Sequence, residues 1–323
     1  MANREFFENA LKIDATQAVR QMEQMLRDQV SRQLKRKGMV VGLSGGIDSS
    51  VTAALGVRAL GKERVLGLLM PEQESSDESL QLGKMVAELL GIDTVVEDIA
   101  SLLEAAGCYR RRDEAIRSQI PEFGAGYRCK IVLTNVLERD GFNFFYLVVE
   151  SPDGVQTKVR LNAQTYLEIV AATNMKQRSR KFYEYYHADR LNYAVSGTPN
   201  RLEYDLGFFV KNGDGAADIK PIAHLYKTQV YAIAAYLDIP AEILKRSPTT
   251  DTYSLPQSQE EFYFSLPYDL MDICLYARYH GFPAADVAPA VGLSEKQVDR
   301  VYQDIERKRA VAHYLHAPPL LVE

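Results

Sequence analysis

The chain of 323 residues contains no tryptophan, three cysteines and five histidines. Cys108, Cys129 and Cys274 are odd in number and show no C-x-x-C spacing, so neither a disulfide framework nor a zinc site is indicated, and a reducing compartment suits them. No stretch approaches the roughly eighteen consecutive apolar residues of a membrane span, and residues 1–5 carry no apolar signal-peptide core. The expectation is a soluble, cytoplasmic protein that makes no membrane contact. Positive charge is not in excess either. With 38 Lys and Arg against 43 Asp and Glu, the net charge of -5 argues against a general nucleic-acid binder. A Walker A loop is missing, because no Gly-Lys-Ser/Thr follows a glycine turn, and the G-x-G-x-x-G dinucleotide fingerprint is missing as well.

What the sequence does have is Gly42-Leu43-Ser44-Gly45-Gly46-Ile47-Asp48-Ser49-Ser50, reached from the apolar run Met39-Val40-Val41. Two adjacent glycines let several backbone N–H groups converge, and the helix that begins near Asp48 adds the positive end of its dipole, which together form a cradle for phosphate oxygens. Ser44, Ser49 and Ser50 add hydroxyls. Asp48 is an acid among phosphate donors, which makes sense if a divalent cation, magnesium, joins it to the polyphosphate.

Around this loop, strands and helices alternate. Apolar positions Val19, Met22, Leu26, Val30 and Leu34 predict an amphipathic helix over 14–36. Residues 49–60 continue the loop as a helix ended by Gly61, residues 64–70 read as a buried strand closed by Pro71, a helix covers 77–90, and a third strand starts at 94–96. The alternation predicts an α/β fold with a doubly wound parallel sheet, all of 1–323 forming one domain. From about 105 to 163 the rhythm breaks. Arg110-Arg111-Arg112 opens a charged helical piece that reads as a solvated face, 121–126 is a loop, and β-rich runs at 142–150 and 155–161 flank Ser151-Pro152-Asp153-Gly154, a hairpin inserted into the α/β domain. Helix and strand resume at 165–191 and 193–196.

A second constellation follows. Asn174-Met175-Lys176-Gln177-Arg178-Ser179-Arg180 puts Lys176 and Arg180 on one helical face with Arg178 directed elsewhere. Ser196-Gly197-Thr198-Pro199-Asn200-Arg201-Leu202-Glu203 follows a buried strand, where open α/β sheets place ligand groups. Then come residues 208–221 (FFVKNGDGAADIKP), Leu225-Tyr226-Lys227-Thr228 and Ser247-Pro248-Thr249-Thr250-Asp251. Residues 284–308 have the helix, turn, helix outline of a DNA reader, but Glu295, Asp299, Asp304 and Glu306 oppose that use, and packing is expected.

The Ser-Gly-Gly-x-Asp-Ser pattern resembles the pyrophosphatase loop of enzymes that cut ATP between its α- and β-phosphates. Together with K-x-R-x-R, G-T-x-x-x-x-E, F-F-x-K-x-G-D-G-x-x-D, L-x-K-T and P-T-x-D in that order, it resembles the ammonia-dependent NAD synthetases over roughly 17–104 and 163–316. The resemblance implies a Rossmann-like sheet of the adenine nucleotide α-hydrolase type and a cytoplasmic homodimeric ligase of NAD biosynthesis. Its reaction would amidate deamido-NAD with ammonia and ATP, giving NAD, AMP and pyrophosphate through an acyl adenylate. It implies ATP at Gly42, Ser44, Gly45, Gly46, Asp48, Ser49, Ser50, Thr198, Lys227 and Thr249, and magnesium at Asp48 and Glu203. Arg178, Lys211, Asp218 and His316 would hold deamido-NAD, Asp214 would sit beside the ammonia, and Lys227 would ride over the phosphates. Asp48, Lys227 and Asp214 are thus the implied catalytic residues. Two departures stand out: Pro199-Asn200 replaces the family's usual Asp-His, and the closing His-Lys-Arg is missing, with His316 as its partial substitute. The chain length leaves no room for the glutamine-hydrolysing domain of longer relatives, so free ammonia is the expected nitrogen donor. Rival readings are an ATP pyrophosphatase acting on another carboxylate or on a tRNA base, and a non-catalytic nucleotide-sensing regulator.

Overall fold

A computed structural model describes residues 4–133, 137, 144–248, 252–264 and 266–322. Four parallel strands, β1 (Met39–Gly42), β2 (Val65–Leu69), β3 (Asp93–Val96) and, later in the chain, a strand at Ala194–Ser196, pair in the order β3, β2, β1 and then Ala194–Ser196. Between them in sequence lie three antiparallel strands, β4 (Arg128–Leu133), β5 (Phe145–Glu150) and β6 (Gln156–Arg160), so that Ala194–Ser196 is β7.

β1, β2 and β7 bury both faces by simple alternation, while β3 at the sheet edge is largely exposed. Met39 and Val41 point into one core with the helices Ala15–Arg27, Ile47–Leu60 and Lys227–Tyr236. Val40, Leu66, Leu68 and Val195 point the other way, onto Ala188 and Tyr185 of the 29-residue helix Ala163–Leu191. Burial on both sides explains the nearly continuous apolar runs of β1 and β2. The expected helix over 14–36 is found as Ala15–Arg27, N-capped by Asp14 and continued by a wider turn over Asp28–Gln33.

The inserted region holds more than a hairpin. β5 and β6 flank the expected turn, in which the Gly154 amide donates to the Ser151 carbonyl at 2.9 Å, and residues 142 and 143 lie outside the described residues. β4 pairs with β5 from Arg128 opposite Glu150 to Leu133 opposite Phe145. Its Cys129 and Ile131 enter a separate core with Ile116, Phe123, Leu147 and Ile169. The charges at Arg128 and Lys130 masked its strand pattern in the sequence, because they fall on the face opposite the buried one.

The arginine triplet corrects an expectation. Arg110 and Arg111 are exposed, but Arg112 is buried and pairs with Glu74 and Asp113. Glu74 also pairs with Lys176, whose ammonium is buried against Glu72 Oε1 at 3.0 Å and the Thr252 carbonyl at 2.9 Å, while the Tyr109 hydroxyl donates to Glu72 Oε2 at 2.8 Å. This network ties the segment after β2 to two helices and to Thr252, the residue that follows the P-T-x-D motif. The helix-turn-helix outline resolves as Ala284–Val291 and Glu295–His316, with Val298, Val301 and Ile305 buried against Met271, Leu275 and Val287, so its second helix packs inward.

Candidate active site

The carboxyl ends of β1, β2 and β7 open into a cavity of about 790 Å³. Its floor is the phosphate loop. Gly46 starts the helix Ile47–Leu60 without any side-chain cap, so the first-turn amides face the cavity rather than a protein acceptor. Ser44, Gly46, Asp48 and Ser49 line the wall, as do Gly42 and Thr198. Gly45 and Ser50 stand behind it. Gly45 adopts φ +72°, and a Cβ there would lie 2.6 Å from the Ser79 carbonyl oxygen, so only glycine lets the loop pass this close to the helix Asp77–Leu90. The Ser50 hydroxyl donates to the Gly46 carbonyl at 2.8 Å and holds the turn from within.

Three elements deliver charge to the loop. Asp48 from the loop pairs with Lys227, the first residue of the helix Lys227–Tyr236, whose side chain is fully buried. Asn200 Nδ2 donates to Asp48 Oδ1 at 3.3 Å. Asn200 is also the N-cap of the helix Arg201–Leu206, accepting from the Glu203 amide at 3.2 Å while its own amide donates to Glu203 Oε2 at 3.1 Å. Burial, and then the Asp48 charge, push the Glu203 carboxyl up to about 8 against the opposing pull of Lys227. Burial works against the Lys227 charge, but Asp48 and Glu203 outweigh it and lift this lysine above its ordinary value. Behind Lys227, the Asp272 carboxylate accepts from the Lys227 and Thr228 amides at 3.3 and 2.7 Å, and burial pushes it up to about 6.

Elsewhere on the cavity wall, Asp214 is half-buried and accepts from the Val210 amide at 2.7 Å, and its charge also acts on Glu203. Burial holds its carboxyl above the usual range, opposed by that amide, Lys181 and Arg180. The inserted sheet supplies an aromatic wall, with Phe145 of β5 stacked at 3.9 Å on Tyr166.

Four residues implied for the second substrate lie off the cavity wall. Exposed Arg178 donates to the Lys211 carbonyl at 3.3 Å, and the Lys211 ammonium reaches the Tyr314 carbonyl at 2.9 Å. His316 is exposed, bonds the Tyr204 carbonyl at 2.9 Å and packs on the rings of Tyr204 and Phe209. Asp218 is exposed and accepts from the Val195 amide at 2.7 Å. Thr249 lies outside the described residues.

Asn200 and Asp272 were not singled out as functional in the sequence. The signal for Asn200 was present in the Asn-x-x-Glu spacing of a capping box, whereas nothing local to Asp272 points to a lysine 45 residues away.

The family model for NAD synthase matches residues 18–133 and 145–313. The chain belongs to the NAD synthase family. It is 59% identical over 311 residues to the NH(3)-dependent NAD(+) synthetase of Mesorhizobium japonicum, covering 96% of this chain and 98% of that one. The enzyme of that name from Thermotoga maritima is 34% identical over 270 residues, 84% of this chain and 88% of that one. Among solved structures, NMN synthetase from Francisella tularensis superposes with a TM-score of 0.65 at 24% identity, covering 96% of this chain and 99% of that one. NH3-dependent NAD synthetase from Campylobacter jejuni gives 0.63 at 22%, covering 97% of this chain and 100% of that one, and both likenesses bear on the fold alone. The NAD synthase match runs through β4, β5 and β6 of the inserted region, omitting only residues 134–144 between its two parts.

Proposed function

We propose that this chain is an ammonia-dependent NAD synthetase: it adenylates the pyridine carboxylate of deamido-NAD with ATP, releases pyrophosphate, and lets ammonia displace AMP to give NAD. The observation that carries the reading is the convergence of Asp48, Glu203 and Lys227 on an uncapped helix N-terminus at the floor of one cavity. Amidation needs such a site, because a carboxylate has no leaving group until it is joined to the α-phosphate.

The loop amides with Ser44 and Ser49 grip the departing pyrophosphate, Thr198 contacts ATP, and Lys227 sets a fixed positive charge where the phosphate charge develops. Asn200 and Asp272 hold Asp48 and Lys227 in place. Among the described residues no group of three or more His, Cys, Asp and Glu could hold a metal ion by itself. Two carboxyls sharing one lysine, with Glu203 driven toward its protonated form, nevertheless fit a divalent cation completed by phosphate oxygens. Asp48 and Glu203 would hold magnesium, which supplies charge neutralisation for the triphosphate. Asp214 orients ammonia, and Arg178, Lys211, Asp218 and His316 hold the outer part of deamido-NAD. Among the described residues no helix is long and apolar enough to cross a membrane; a cytoplasmic homodimer completes the proposal.

Incubation with ATP, magnesium, ammonium and deamido-NAD should yield NAD, AMP and pyrophosphate in equal amounts. Splitting of ATP without NAD would point to another carboxylate or a tRNA base, and nucleotide binding with no turnover would point to a regulator.

A further inference from the structure

Next to Asp214 stands a buried ion pair that the reaction as described does not use. On the helix Ala163–Leu191, Lys181 Nζ contacts Glu184 Oε2 at 2.5 Å, and the two residues are 5% and 7% exposed. Glu184 lines the cavity. Its other oxygen, Oε1, lies over Gly42, where a Cβ would stand in ordinary contact 3.4 Å from it, so the carboxylate sits against the residue that opens the phosphate loop. A buried Lys-Glu pair is weak as a stabilising device, since well-packed apolar side chains commonly do as well, and this one turns a carboxylate into the cavity.

The amidation step has a proton count. At neutral pH the nitrogen arrives mostly as ammonium. Ammonium gives up one proton, its lone pair forms the C–N bond to the acyl carbon, and the C–O bond to the adenylate breaks with AMP taking the electron pair. The attacking nitrogen then sheds a second proton to leave the neutral amide. Two protons leave per amide, and one carboxylate can take only one.

We infer that Glu184 is the second proton acceptor of the amidation step, sharing ammonium with Asp214 on the wall of the same cavity: one carboxylate frees the ammonia and the other receives the proton released as the C–N bond forms. The inference rests on the ammonia role proposed for Asp214. Three basic groups surround the pair. Lys181 and Arg180 favour the ionised form of both acids, the Asp214 charge opposes that of Glu184, and the Lys220 ammonium, bonded to the Gly215 carbonyl at 2.7 Å, is held below its ordinary value by burial and by Lys181, with Asp214 opposing. Burial dominates for both carboxyls and raises their proton affinity above the ordinary carboxylate range, the direction that favours a general base.

The test is Glu184→Gln, with Lys181→Met/Glu184→Gln as the variant that leaves no lone buried ammonium. Both should still give a pyrophosphate burst from ATP and deamido-NAD, while kcat/KM for total ammonium falls roughly a hundredfold at pH 7. The deficit should shrink as pH rises toward 9, because free ammonia arrives with one proton already gone. A folded double variant with unchanged kcat/KM for ammonium, or a deficit of the same size at every pH, overturns the inference. Asp214→Asn is run beside it. Loss of its burst removes the ammonia role of Asp214 and with it the partner of Glu184, whereas a normal burst with slow NAD formation beside an unaffected Glu184→Gln overturns the Glu184 role alone.

Discussion

Two clusters of acids line the cavity, and burial raises the carboxyls of both, but each cluster keeps different company. At the phosphate loop, Asp48 is paired with the buried Lys227 and steadied by Asn200, and the proton that Glu203 tends to hold follows first from burial and then from the nearby Asp48 charge. A cation bound with ATP would displace that proton. In the second cluster, Glu184 and Asp214 are held above the ordinary carboxylate range although Lys181 and Arg180 act on both. The difference follows from the chemistry each cluster faces. A polyanion must be met by positive charge and free N–H groups, whereas ammonium must be met by acceptors whose proton affinity is close to that of the medium.

The comparison breaks most completely if the nitrogen source is changed. Glutamine in place of ammonium should support almost no turnover, because burial pushes the thiols of Cys108 and Cys129 up to about 11 and that of Cys274 up to about 12, leaving no thiolate to attack an amide. NAD formation from glutamine at a rate matching ammonium would contradict this. Next in size, Asp48→Asn should slow pyrophosphate release by roughly a thousandfold, the upper scale for removing one preorganised electrostatic group, and a wild-type rate of pyrophosphate release would remove Asp48 from the phosphate chemistry. Asp214→Asn should spare adenylation and slow the ammonia step by roughly a hundredfold, seen in a single turnover as about one pyrophosphate per site with little NAD behind it. The mildest effect is expected away from both clusters. Arg178→Gln and Lys211→Gln remove exposed or half-exposed cations outside the cavity wall, so each should raise KM for deamido-NAD by roughly tenfold or less with kcat kept, and a fall in kcat would place them closer to the reacting atoms than their contacts suggest.

Stability sharpens the picture at the rim. Lys176→Met would leave Glu72 and Glu74 buried around a missing ammonium and should cost about 3–5 kcal/mol, read as a lowered denaturation midpoint. A midpoint shift no larger than that of Arg111→Gln, an exposed member of the arginine triplet, would reduce the network to ordinary surface pairing.

Local chemistry made one part of this cavity readable in advance. Gly45-Gly46, the serines and Asp48 are consecutive, and a strand, a tight turn and a helix N-terminus create an anion cradle from backbone groups that need no distant partner. The buried runs of β1 and β2 were equally plain, because a strand covered on both faces must be apolar throughout. β4 was hidden by its outward charges, and the burial of Arg112 could not be foreseen because its partner Glu74 lies 38 residues away. The pairing of Asp48 with Lys227 spans 179 residues, and the Asp272 support for Lys227 and the approach of Glu184 to Gly42 also depend on separate elements meeting. The strands of the parallel sheet, the phosphate turn and its helix, though not β4, could be read locally from the sequence by itself, since backbone geometry and apolar periodicity need no distant partner. Only the tertiary structure decided which acids share a lysine, which face a cavity and which are driven toward protonation, because burial and charge proximity are properties of the packed chain.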